Sequence, residues 1–225
     1  VSGRSFCPKC KKKINWYDNL PLISFFLLNG KCRNCNKVIP VRYLIVELIT
    51  GISFLLIYLN FKNLNTIIFL SILILILIII FFIDLENFII PDTLNFSIMG
   101  LALFKNFLPN FNTSLIHEIN QSIIGGMVGY ISIWLIIYLY KIFKKIDGMG
   151  LGDAKLMAGI GFLFGWQSIP FVLFVSSILG LIFVVPSLIK KQKNMRTEIP
   201  FGPFIILACL IYFAYGSLIY DLILV

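Results

Sequence analysis

Two Cys-x-x-Cys pairs and a few carboxylates are the residues of this chain with types and spacing suited to chemistry. Cys7-Pro8-Lys9-Cys10 and Cys32-Arg33-Asn34-Cys35 are separated by 21 residues. Each pair bends so that both sulfurs can face one ion, and two pairs build a tetrahedral four-thiolate site suited to Zn²⁺. Nearby lysines and Arg33 offset the charge of four thiolates around a divalent ion. Four protein ligands leave no position for water, so Cys7, Cys10, Cys32 and Cys35 are expected to hold a structural ion. Disulfides or a redox pair are the competing readings, and a cytoplasmic location disfavours structural disulfides. The fifth cysteine, Cys209, lies in an apolar run and reads as a small apolar residue.

The carboxylates are few and clustered. Asp84, Glu86 and Asp92 follow one apolar run, and Asp153 ends Gly148-Met149-Gly150-Leu151-Gly152-Asp153 at the start of another. A carboxylate at a membrane boundary in an apolar chain is a functional candidate, against the simpler reading of a solvated helix-end charge, which suits Glu86. The glycines beside Asp153 permit unusual backbone angles and close approach of another chain. A GxGD segment can therefore bring an extended peptide near the Asp. Asp at position 153 rules out a GxGxxG dinucleotide fingerprint, and no P-loop follows. Two carboxylates held close share a proton. The ionised one takes a proton from water and the neutral one polarises a scissile carbonyl, which is peptide hydrolysis. The sole histidine, His117, falls on the other side of the membrane in the topology below and reads as an ordinary loop residue.

The elements that must position these groups are apolar helices. Of 225 residues, 59% are hydrophobic and 13% charged, more apolar surface than one soluble core of this size hides. Spans of about 20 apolar residues are needed to cross a bilayer. Runs at Val41–Phe61, Thr66–Ile83, Thr93–Leu108, Gln121–Phe143, Leu151–Trp166, Ser168–Ile189 and Phe201–Leu224 predict seven helices, of which Thr93–Leu108 and the run after Asp153 are short. The formal charge of +9 comes from basic residues in loops between these runs. It reads as a topology signal and not as nucleic-acid binding. If all seven runs cross, 17 of 19 Lys and Arg residues fall on one face, with Lys62 and Lys105 opposite. The basic face is expected to be cytoplasmic. Gly125, Gly126 and Gly129, and again Gly159, Gly161 and Gly165, form small-residue patterns for close helix packing.

Taken in order, Cys7–Cys10, Asp18-Asn19-Leu20-Pro21, Cys32–Cys35, Arg42-Tyr43 with Glu47, Asp84…Pro91-Asp92, the GxGD segment and Pro200-Phe201-Gly202-Pro203 resemble the type IV prepilin peptidases, also called prepilin leader peptidase/N-methyltransferases. The likeness runs from about residue 5 to 205. GxGD alone also occurs in presenilin-type proteases. The resemblance implies that Asp84 and Asp153 are the catalytic pair. It implies cleavage of the short basic leader of type IV prepilins or pseudopilins after a Gly, at the cytoplasmic edge of the substrate's hydrophobic helix. It also implies methylation of the new N-terminus with S-adenosylmethionine, an activity associated with members that carry the cysteine loop. Family members usually begin with one more hydrophobic helix, giving eight spans where seven are read here, so a fragment or a truncated protein is expected.

The expectation is thus an all-α polytopic membrane protein with about seven transmembrane helices. Residues 1–40 form a cytoplasmic four-cysteine zinc segment and residues 41–225 the peptidase domain. Asp84 and Asp153 are catalytic, Gly150, Gly152 and Asp92 position substrate or backbone, and Glu47 is the methyltransferase candidate. The chain would reside in the bacterial inner membrane with its active site on the cytoplasmic side. The rival expectations are a zinc-stabilised transporter, whose carboxylates would serve an ion path, and an inactive truncated homologue.

Overall fold

The computed structural model describes residues 5–20, 22–108, 119–145, 149–189 and 199–224. His117, Pro21, Gly148 and the basic residues Arg4, Lys190, Lys191, Lys193 and Arg196 lie outside them. The described residues form α-helices, with isolated bridges the only β pairing. The chain divides into two compact units, Val1–Asn60 and Phe61–Val225.

The first unit begins with two loops of the same construction. The Cys7 N–H donates to Lys12 O and the Lys11 N–H to Cys7 O, at 3.0 and 2.8 Å. In the second loop the Cys32 N–H donates to Lys37 O and the Asn36 N–H to Cys32 O, both at 2.9 Å. Each loop closes with one antiparallel bridge, Phe6 to Lys13 and Lys31 to Val38. Lys11 and Asn36, the residues just after each cysteine pair, have φ of 57° and 51°. Arg33 ties the second loop to the intervening turn, its guanidinium gripping Asp18 at 2.7 Å and stacking over Tyr17. A short helix α1 (Ile23–Leu27) and a long helix α2 (Val41–Asn60) complete the unit.

The second unit contains α3 (Leu64–Asn87), α4 (Asp92–Phe104), α5 (Ile119–Lys144), α6 (Leu151–Phe164), α7 (Ser168–Ile189) and α8 (Gly202–Leu224). Helices α2 to α8 coincide one for one with the seven expected apolar runs. By length and composition four can cross a membrane: Val41–Asn60, Leu64–Asn87, Ile119–Lys144 and Ser168–Val185. Asp92–Phe104 and Gly202–Gly216 are shorter apolar helices.

Helix α6 is the core. Its 14 residues rise only about 21 Å, yet almost every residue from Asp153 to Phe164 is buried by α4, α5, α7 and α8. Protein, not lipid, surrounds it, so its shortness carries no solvation penalty. The expected glycine packing is present. A Cβ on Gly125 would strike the backbone of Gly161 and Gly165, and one on Gly161 the backbone of Gly125 and Gly126. Only glycine lets α5 and α6 approach this closely.

Helices α4 and α6 run in parallel, joined at both ends. Near their starts Lys155 Nζ contacts both Asp92 oxygens at 2.7 Å. At the far end Lys105 Nζ donates to Leu163 O at 2.7 Å. The sequence reads Lys105 as a charge on the outer side, yet it is only 2% exposed. The reason is local: the last carbonyls of α6 have no partner within their own helix, and a cation there also meets the negative end of the helix dipole.

Candidate active site

Asp84 sits one turn before the end of α3, where Phe88 adopts a left-handed conformation (φ 56°) and returns its N–H to Asp84 O at 3.0 Å. The helix stops there, and Ile89-Ile90-Pro91 lead into α4. The Asp84 side chain is buried, 4% exposed. Its Oδ2 accepts the N–H of Gly202 at 3.0 Å, so the carboxylate faces the first turn of α8. That places an acceptor at the positive end of a helix. A Cβ on Gly202 would lie 2.6 Å from Asp84 Oδ2 and 3.0 Å from Ile90 Cδ1. Any larger residue there would have to displace the carboxylate from this position.

Asp153 lies in the first turn of α6 and is 7% exposed. Its N–H donates to Gly150 O at 3.2 Å. The two flanking glycines differ. A Cβ on Gly152 would meet Ile90 Cβ at 3.1 Å, whereas one on Gly150 would meet nothing nearer than Gly152 N at 3.8 Å. Gly150 has ordinary angles (φ −78°, ψ 147°), so the unusual backbone expected of the glycines is not used there. Close approach is used at Gly152, by Ile90 of the same chain. Ile90 thus wedges against both Gly152 and Gly202, linking the α3–α4 connection to α6 and α8.

The two carboxylates line one cavity of about 900 Å³. Gly150, Gly152, Asp92 and Lys155 line it as well. Leu181 and Val184 of α7 and Phe204 of α8 give it an apolar lining. Such a cleft can hold several residues of an apolar segment within reach of its acidic groups. Lys155, Gly202 and Ile90 were not singled out as site residues by sequence. Gly202 stood within a quoted motif without a role, and nothing in the sequence pairs Lys155 with a partner 63 residues away.

In the first unit the four sulfurs of Cys7, Cys10, Cys32 and Cys35 lie within 4.8 Å of one another, and Cys7 Sγ is 3.9 Å from Cys35 Sγ. Zn–S bonds of about 2.3 Å in a tetrahedron put sulfurs about 3.8 Å apart, whereas a disulfide needs about 2.05 Å. The donor set fits a tetrahedral ion, and all four cysteines are free. The backbone prepares it: N–H groups of Cys10 and then Lys9 bring the Cys7 thiol down to about 6. The Lys37 N–H lowers the Cys35 thiol, but burial together with the sulfurs of Cys32, Cys10 and Cys7 pushes it up to about 11.

Residues 71–185 match the family model "Type IV leader peptidase family", and residues 1–61 match "Bacterial Peptidase A24 N-terminal domain". Proteins named "Prepilin leader peptidase/N-methyltransferase" are similar over nearly the whole chain. The one from Vibrio cholerae is 37% identical, covering 94% of this chain and 81% of its own length. Those from Dichelobacter nodosus and Aeromonas salmonicida are 34% and 32% identical, each covering 95% of this chain and 71% and 72% of their own lengths. The chain belongs to the type IV leader peptidase family. No solved structure matches it.

The family's N-terminal domain model takes in the cysteine cluster and Glu47 together. Glu47 Oε2 accepts the N–H of Leu22 at 2.8 Å, just ahead of α1. One oxygen of the methyltransferase candidate is thus occupied in holding a backbone turn. Glu47 alone does not make a site for S-adenosylmethionine.

Proposed function

We propose that this chain is a membrane aspartic endopeptidase that removes the basic leader of type IV prepilins or pseudopilins at the cytoplasmic face of the bacterial inner membrane, and that it N-methylates the new N-terminus. The observation that carries the reading is that Asp84 and Asp153, 69 positions apart, come from different helices to one cavity with an apolar wall. The named relatives support the choice of substrate and the second activity.

In this mechanism the two carboxylates hold one proton between them. A water between them loses a proton to the ionised Asp as its oxygen attacks the scissile carbonyl carbon. The neutral Asp donates a hydrogen bond to the carbonyl oxygen. Collapse of the tetrahedral intermediate breaks the C–N bond, and the captured proton passes to the departing amine. Gly150 leaves room for an extended backbone beside Asp153, Gly152 positions the chain by admitting Ile90, and the Asp92–Lys155 pair holds the starts of α4 and α6 together. Cys7, Cys10, Cys32 and Cys35 would hold Zn²⁺, whose contribution is to close residues 1–40 as a folded segment. Residues 41–225 then form the membrane peptidase domain.

The test is incubation of the purified protein in vesicles with a prepilin, reading product masses for leader loss and for an added methyl group. Leader removal by the native protein, with none by Asp84→Asn or Asp153→Asn, supports the reading. Equal cleavage by either variant removes that residue from the mechanism. Flux across the vesicle without cleavage would favour a transporter.

A further inference from the structure

Among the described residues of the first unit, the face of α1 opposite its packing contacts is apolar and uncovered. Ile23, Phe26 and Leu27 occupy positions i, i+3 and i+4, one side of a helix, and are 58, 66 and 75% exposed. Phe25 turns the other way, its ring against Gly30. A segment built on a four-cysteine knot is too small to bury these side chains in a core of its own.

Two further observations say what covers them. The hydrogen bond from Leu22 N to Glu47 Oε2 sets the start of α1 beside residue 47 of α2. Arg42 and Glu47 are the only charged residues of α2, and from Leu48 to Asn60 there is none. The uncharged run that enters the bilayer therefore begins at the level of α1, about 9 Å along the helix from Val41. In addition, residues 1–60 carry nine Lys and Arg against two acids, Asp18 and Glu47. Asp18 is engaged by Arg33 and Glu47 by Leu22. The exposed lysines Lys9, Lys11, Lys12, Lys13 and Lys37 have no acidic side chain of their own unit to neutralise them.

We propose that the N-terminal unit lies on the anionic lipid surface of the membrane that α2 crosses, with Ile23, Phe26 and Leu27 immersed at the headgroup boundary and the lysines on lipid phosphates. An apolar helical face at interfacial depth, on a unit with a large excess of exposed cations, is the chemistry of an interfacial anchor. The cysteine segment is then a membrane-bound element and not a domain free in the aqueous phase. This inference does not depend on the peptidase reading.

The full chain with Phe26→Trp, and with Trp16, Trp134 and Trp166 each changed to Phe, would be reconstituted in phosphatidylcholine vesicles with and without phosphatidylglycerol. The introduced indole should emit to the blue of a solvated one and be quenched by lipids brominated about 5–10 Å below the headgroups. Quenching should be stronger when phosphatidylglycerol is present. An indole open to aqueous acrylamide, one shielded from both quenchers by protein, or quenching indifferent to phosphatidylglycerol overturns the proposal. A second measurement uses the unaltered chain. A carbene-generating lipid should leave adducts on residues 23–27, and their absence while α2 is labelled overturns it equally.

Discussion

At the scale of single residues the site is defined by what cannot be changed. Asp84→Ala or Asp153→Ala should each abolish leader removal while the protein still inserts, which membrane fractionation and product mass check together. The glycines separate more sharply. Gly202→Ala puts a methyl group 2.6 Å from Asp84 Oδ2. It should cost about 1–3 kcal/mol from overpacking, seen as a lower thermal midpoint in detergent even without substrate. Gly150→Ala meets nothing nearer than 3.8 Å. Its midpoint should stay near the native value, so any loss of cleavage there reports crowding of the substrate. Equal destabilisation by both changes would contradict the geometry around Asp84. The sequence marked Gly150 through its place in GxGD, but the crowding is at Gly202. Steric need depends on which chain lies opposite, and that chain is 118 positions away.

At the scale of elements, position is set by how helix ends are held. Lys105→Met leaves the Leu163 carbonyl buried without its donor and should cost about 1–3 kcal/mol, measured by thermal unfolding. Lys105→Arg should recover part of the loss. No loss in the Met variant would show that the α6 terminus is satisfied otherwise. In the first unit, Cys7→Ser or Cys32→Ser should release the bound metal. Zinc content by elemental analysis should fall to background, because a three-thiolate remnant is no longer a closed site. The four-cysteine cluster was readable because CxxC spacing constrains local geometry. The helix-end role of Lys105 was not, because a lysine between apolar runs looks the same whether it faces water or caps a neighbouring helix.

For the whole molecule, the chemistry requires both Asp residues to reach the same face of the bilayer. The parallel course of α4 and α6 and the meeting of the α3 end with the α8 start agree with the alternation of basic loops. A phosphatase fused after Leu108 should be exported and active, while one fused after Lys145 should remain inside and inactive. The reverse result would place the cavity on the outer face. The apolar runs by themselves determined which segments become helices, because burial of backbone polar groups in lipid leaves little choice. The order of motifs determined the family, and CxxC spacing determined the four-sulfur cluster. Only the tertiary structure decided that the short α6 is enclosed by protein, that Asp84 rests on the Gly202 amide, and that Lys155 and Lys105 clamp α4 to α6. Those outcomes rest on contacts between residues tens of positions apart. Their energies depend on which surfaces meet, a property of the packed helices and not of any local stretch of chain.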